Sequence, residues 1–238
     1  MEFFLLFIIS LSVGIAYIII SQRIACAIPH PSAPITPDSS IITFDIHGVL
    51  FTADWPKIAG LIWANKKACT LIMYIFNPKF LYHVVRLLHK GAVLEKCITY
   101  LSGKHSYFAR HKDFIFLIAN TQKPIPHMVD LVKTLKKEGF TLHIFSNIGT
   151  QLYESLSQKF PREFILFDKA FTPDGFHGKS HQETFSYYMA AFNPENKQIL
   201  FIDNNKKNIS MAKTVGIISI YYKNPQQLHA ALRQLQVI

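Results

Sequence analysis

Cysteine and acidic residues are the scarce components of this chain. Three cysteines, Cys26, Cys69 and Cys97, are scattered along 238 residues. That pattern excludes a disulfide framework and offers no metal-ligand spacing, and it fits a reducing compartment. Aspartate and glutamate total 15 against 25 lysines and arginines, for a net charge of +10. An acidic, solvating chain is thereby excluded. No internal repeat is present, which excludes solenoids and propellers. Charge is missing altogether from Phe3 to Gln22, and Phe3 to Ile20 is apolar except for Ser10, Ser12 and Gly14.

That charge-free run is long enough to cross a bilayer as a helix. A secretory signal is the competing reading, because Ala25-Cys26-Ala27 resembles a small-residue cleavage site. Against it, Met1-Glu2 carries no basic side chain and Arg23 stands just before the cut. Residues 1–25 therefore read as a membrane-anchor helix, and 26–40, with four prolines, as a stiff linker. Basic charge after the run places the rest in the cytoplasm. Cleavage would instead give a secreted or periplasmic protein.

Beyond the linker, three short apolar runs each end on a polar residue: Ile41–Phe44 on Asp45, Leu142–Phe145 on Ser146, and Ile199–Ile202 on Asp203. Runs of this kind, with helical patterns between them, read as buried parallel strands. Ligands of such sheets bind beyond the carboxyl ends of the strands, so all three polar residues would face one site. Helices are expected from Pro126 to Gly139, Thr150 to Lys159, His181 to Phe192, Lys206 to Thr214 and after Asn224; short strands are expected at Phe164–Phe167 and Ile217–Tyr222. The fold class is α/β, a doubly wound Rossmann-like parallel sheet. Its core spans 41–55 and 119–238. Residues 56–118 form a helical insertion, with Ile58–Phe76 read as a hairpin. That insertion is rich in lysine and arginine, which predicts a solvated basic surface, a field that concentrates anions, or a face for anionic lipid.

Phe44-Asp45-Ile46-His47-Gly48-Val49-Leu50 resembles the first motif of the haloacid dehalogenase (HAD) superfamily. Phe145-Ser146-Asn147, Gly178-Lys179 and Ile202-Asp203-Asn204 resemble the second, third and fourth in order, and Asn208, Ala212 and Gly216 continue the last. Taken singly, these residues read as turn formers, helix caps or a solvated lysine. In order and at this spacing they read as one site. The resemblance implies that Asp45 is a nucleophile forming an aspartyl-phosphate, and that Ser146, Asn147 and Lys179 bind the phosphoryl group. It further implies Mg2+ held by Asp45, Asp203 and the backbone carbonyl of His47, and an insertion acting as a C1-type cap. A small phosphorylated substrate is expected, with the membrane as a second partner; no nucleic-acid partner is expected.

Two positions depart from the family pattern. His47 stands where phosphatases of the family usually carry an acid/base aspartate, and Asn204 where a second acid is common. An imidazole can move protons at neutral pH, but it is bulkier, and as a cation it would repel magnesium. The chain is thus expected to be a phosphatase-like hydrolase with catalytic residues Asp45, His47, Ser146 and Lys179, or else a weakened binding module on the same fold. A true dehalogenase is disfavoured, because neither Ile46-His47 nor Asp203-Asn204-Asn205 fits that branch. His143, His177 and His181 do not read as a zinc site.

Overall fold

Five strands form the central sheet in the order β5-β4-β1-β6-β7, all parallel: β1 (Ser40–Phe44), β4 (Thr141–Phe145), β5 (Lys169–Phe171), β6 (Gln198–Asp203) and β7 (Ile218–Tyr221). The computed structural model describes residues 31, 33–65, 77–90 (backbone only for 88–90), 92–173, 178–193 and 195–238. The expected anchor, residues 26–30 and 32 of the proline-rich linker and residues 66–76 of the expected hairpin lie outside the described residues. Among the described residues no helix is long and apolar enough to cross a membrane.

Alternation along the strands divides the core into two layers, one on each face of the sheet. Ile42, Phe44, Leu142, Ile144, Leu200 and Ile202 point to one face. They meet Met128, Leu131 and Leu135 of α6 (Pro126–Lys137) and Leu228 and Leu232 of α11 (Pro225–Gln234). Ile41, Phe145, Ile199 and Phe201 point to the other, against Phe185 and Tyr188 of α9 (Gln182–Phe192) and Ile209 of α10 (Lys206–Thr214). Strands buried on both faces cannot alternate polar with apolar, which is why they read as continuous apolar runs. Both layers together make the doubly wound sheet expected from the sequence.

Local signals set the helix ends. Pro126 opens α6, Lys136 and Lys137 close it, and Gly139 at φ +91° lets the chain turn away. Asn205 caps α10 by accepting from the Lys207 amide, and Asn224 caps α11 by accepting from the Gln227 amide. The Gln227 side chain reaches one residue further back than a capping box requires, to the Lys223 amide.

The strand expected at Phe164–Phe167 is not a strand. Pro161–Phe164 forms a single helical turn, α8, and strand β5 begins later, at Lys169. Phe160 and Phe164, four residues apart, both pack on Phe51 at 5.2 and 5.4 Å between ring centroids, and only a helical turn aligns them so. Asp168 fixes the entry to β5: its amide donates to the Leu142 carbonyl, its carboxylate accepts from the Leu142 amide, and Lys136 pairs with it at 2.6 Å.

Between β1 and β4 the chain leaves the sheet along β2 (Phe51–Ala53) and returns along β3 (Gln122–Pro124), which pair antiparallel. The helical insertion hangs from this ribbon as α1 (Trp55–Ala64), α2 (Pro78–Lys90), α3 (Leu94–Lys104), α4 (Ser106–Arg110) and α5 (Lys112–Ala119). It docks on the core where β4 ends. The Leu94 amide donates to the Asn147 carbonyl, and the Glu95 carboxylate accepts from the Gln151 amide at the start of α7 (Thr150–Lys159).

Within the second layer, Tyr188 shares its hydroxyl between Thr43, at 2.8 Å, and Nδ1 of His143, at 3.0 Å. Burial, joined by Lys169 and Lys136 and opposed by Asp168, pushes the His143 imidazole down to about 4. The unfolded chain then takes up a proton below about pH 6.5 that the folded chain refuses. His143 should therefore draw stability down as pH falls from about 6.5 to 4, by roughly 2 to 3 kcal/mol. Urea unfolding of wild type and His143→Gln across that range tests this; parallel pH profiles would refute it.

Candidate active site

Three strand ends and one loop build the site. Asp45 follows β1, and its amide donates to the Ile202 carbonyl of β6. The next residues wind into a tight bend in which the amides of Val49, Leu50 and Phe51 all converge on the Ile46 carbonyl. Gly48 sits there at φ +76°, and a Cβ on it would collide with the Asn204 side-chain amide. No other residue serves at that position. Ser146 follows β4, its amide donating to the Phe171 carbonyl of β5. Asp203 ends β6.

Lys179 ties these ends together. Its ammonium is 1% exposed and lies 2.8 Å from Asp45 Oδ1, 2.6 Å from Asp203 Oδ2 and 3.1 Å from the Phe145 carbonyl oxygen. Burial alone would lower this lysine, but the carboxylates of Asp203 and Asp45 outweigh it and hold it above its ordinary value. Burial pushes the Asp203 carboxyl up, to about 6, against the pull of the Lys179 ammonium. The loop is aimed by Asn147, whose side-chain oxygen accepts from the Lys179 amide. Asn147 was expected at the phosphoryl group; here its oxygen orients the lysine.

Asp203 is engaged on both oxygens. Oδ1 accepts from the Asn205 amide at 2.7 Å and from the Asn208 side chain at 3.2 Å; Oδ2 accepts from Lys179 and, at 3.0 Å, from Asn208. Asn208 thus holds the acid that holds the lysine. The sequence shows it only as part of a helix pattern.

Above this floor lies a cavity of about 640 Å3, lined by Asp45, His47, Ser146, Asn147, Lys179, Asn204 and Asn208 below and by the insertion above. Asp203 is absent from its lining. His47 is half-buried, and its Nε2 faces the Gln122 side-chain nitrogen at 3.1 Å. That nitrogen also donates to the Ala119 carbonyl, so the amide is a donor to both and the imidazole proton is assigned to Nδ1. Burial, opposed by Asp45 and joined by Lys179, lowers the His47 imidazole. Gln122 had no signal in the sequence, since only the β2–β3 pairing brings it 75 positions back to His47.

The oxygen donors on the cavity side fit a hard, mostly hydrated magnesium ion: Asp45, whose Oδ2 accepts from no described residue, the His47 carbonyl and the Asn204 amide. Asp203, expected among the metal ligands, gives its oxygens to Lys179, Asn205 and Asn208. A single free carboxylate implies weak binding. Of the three histidines set aside earlier, His143 belongs to the buried tyrosine network, His181 precedes α9, and His177 lies outside the described residues.

The sequence model of haloacid dehalogenase-like hydrolases matches residues 40–216. The chain belongs to this family. No curated protein matches it. Among solved structures, L-2-haloacid dehalogenase from Xanthobacter autotrophicus is similar with a TM-score of 0.53 and 17% identity over 84% of this chain and 83% of that one. The HAD-hydrolase YfnB from Bacillus subtilis, bound to magnesium, gives 0.57 and 14% over 82% and 99%. A predicted phosphoglycolate phosphatase from Haemophilus somnus 129PT gives 0.51 and 18% over 79% and 89%. At these identities the likeness is one of fold, and it places this HAD-like hydrolase beside both dehalogenases and a phosphatase.

Removing the Lys179 charge leaves two carboxylates facing each other without a counterion. Lys179→Met should destabilise the fold by about 3 to 5 kcal/mol, and adding Asp203→Asn should recover part of the loss. Chemical denaturation measures both, and an unchanged midpoint in Lys179→Met would contradict the pairing.

Proposed function

We propose that this HAD-like hydrolase cleaves phosphoric monoesters through an aspartyl-phosphate on Asp45. The observation that supports this most is the buried ammonium of Lys179, held between Asp45 and Asp203 beneath a cavity that Asp45 and Ser146 also line. A carboxylate is ionised at neutral pH and needs orientation rather than a base to activate it. The Ile46 amide and Lys179 orient Asp45 through Oδ1 and leave Oδ2 for attack. In the first step an Asp45 oxygen bonds to phosphorus while the bond to the leaving oxygen breaks. That oxygen departs with the electron pair and takes a proton from water. In the second, a water oxygen bonds to phosphorus, the bond to Asp45 breaks, and the water proton goes to the imidazole or to solvent. Ser146 meets the phosphoryl oxygens, and the Lys179 ammonium, its three N–H groups taken by Asp45, Asp203 and the Phe145 carbonyl, acts on their transition-state charge through its field. Magnesium at Asp45, the His47 carbonyl and Asn204 would supply further positive charge there.

His47 shapes the reading. Its one lone-pair nitrogen faces Gln122, so an entering water must displace that amide before the imidazole can take its proton. The first step then lacks a built-in acid and favours acidic leaving groups, aryl over alkyl. The same contact favours a second reading, a binding module that has lost turnover. With residues 1–25 as an anchor, either protein works at a membrane surface on the cytoplasmic side.

With 4-nitrophenyl phosphate, Asp45→Asn should cut turnover of the full-length chain by at least about a thousandfold. Unchanged release of nitrophenol would end the nucleophile assignment. His47→Asp should raise turnover of alkyl esters; if it creates activity where wild type has none, the binding module is the better reading.

A further inference from the structure

The insertion is basic outside and apolar inside. Lys57, Lys79, Arg86, Lys96, Lys104 and Arg110 are all exposed, and none of them lines the cavity. The described residues with which α2, α3, α4 and α5 line it are aliphatic or aromatic, with one thiol, Cys97. Val84, Leu87, Leu94, Ile115 and Ile118 remain only half-buried, so they keep accessible surface turned to that space. The charge tally of the sequence left open a solvated surface, an anion-concentrating field or a lipid face, whereas the described wall that a substrate would meet is a hydrocarbon one.

From this geometry we infer that the substrate is amphiphilic: an anionic head on the polar floor, and an alkyl or aryl body filling the space beneath the insertion. The identity of the head as a phosphoryl group rests on the hydrolase reading above; the apolar body does not. A polyol such as a sugar would bring hydroxyl groups against a wall whose described residues offer no oxygen or nitrogen side chain to meet them, and each buried hydroxyl without a partner opposes binding. A hydrocarbon body gains from leaving water, and the cavity lies within the range of about 300 to 1,000 Å3 usual for small-molecule sites. Among the described lining residues, every oxygen- or nitrogen-bearing side chain belongs to the core and none to the insertion. Such a body could belong to a free small molecule or to a lipid tail.

Two measurements on the full-length chain separate this inference from the reading on which it builds. The first is calorimetric binding of ethyl-, butyl-, hexyl- and octylphosphonate, which need no turnover. Affinity should rise about three- to fourfold per methylene until the cavity is full, and 2,3-dihydroxypropylphosphonate should bind more weakly than propylphosphonate. The second is phosphate release from phenyl phosphates carrying para-alkyl chains of one to six carbons, where kcat/KM should climb with length. Leu87→Gln should flatten both series.

Length-dependent binding without turnover would defeat the hydrolase reading and support the amphiphilic site. Affinity indifferent to chain length in wild type, or tighter binding of the hydroxylated phosphonate, would overturn the inference even if every ester is cleaved. Comparing monomeric hexylphenyl phosphate with phosphatidate in phosphatidylcholine vesicles then distinguishes the two sources, and preference for either supports it.

Discussion

A single buried cation, the Lys179 ammonium, holds the chemistry and the fold in one place. Two carboxylates and a carbonyl at the ends of adjacent strands would repel one another if left without a counterion. Setting one ammonium among them turns that repulsion into the force that gathers β1, β4, β6 and the loop before α9. The trio of Asp45, Asp203 and Lys179 carries a net charge of −1. The excess is one carboxylate over one ammonium.

Around this centre the supporting residues act through one another. Asn208 and the Asn205 amide fix Asp203, Asp203 fixes Lys179, and Asn147 fixes the lysine backbone from the opposite side. Asn204 lies over Gly48, which keeps the bend after Asp45 tight. The Asn208 side chain donates to both Asp203 oxygens, which a carboxylate at that position could not do.

The strand ends were legible because burial on both faces forces unbroken apolar runs, and a polar residue that stops such a run stands out. Gly48 and Asn224 were legible for a similar reason, since backbone geometry admits few residue types there. Three things were not. Phe164 to Phe167 looks like a strand, but its aromatic at position 164 pairs with Phe160 over Phe51 and winds the segment into a turn. Gln122 meets His47 only through a long-range ribbon pairing. And the charge of the insertion, counted along the chain, does not reveal which side of each helix it occupies.

The Glu95 carboxylate has a mechanical consequence. It belongs to the insertion, yet it lies over Gly149 and accepts from the first turn of α7 in the core, where a helix end favours negative charge. Swinging the helices away from the sheet would strip that helix of its anion. Insertion and core are thus tied through a charge set at a helix end, and such a tie slackens as the ionic strength around it rises.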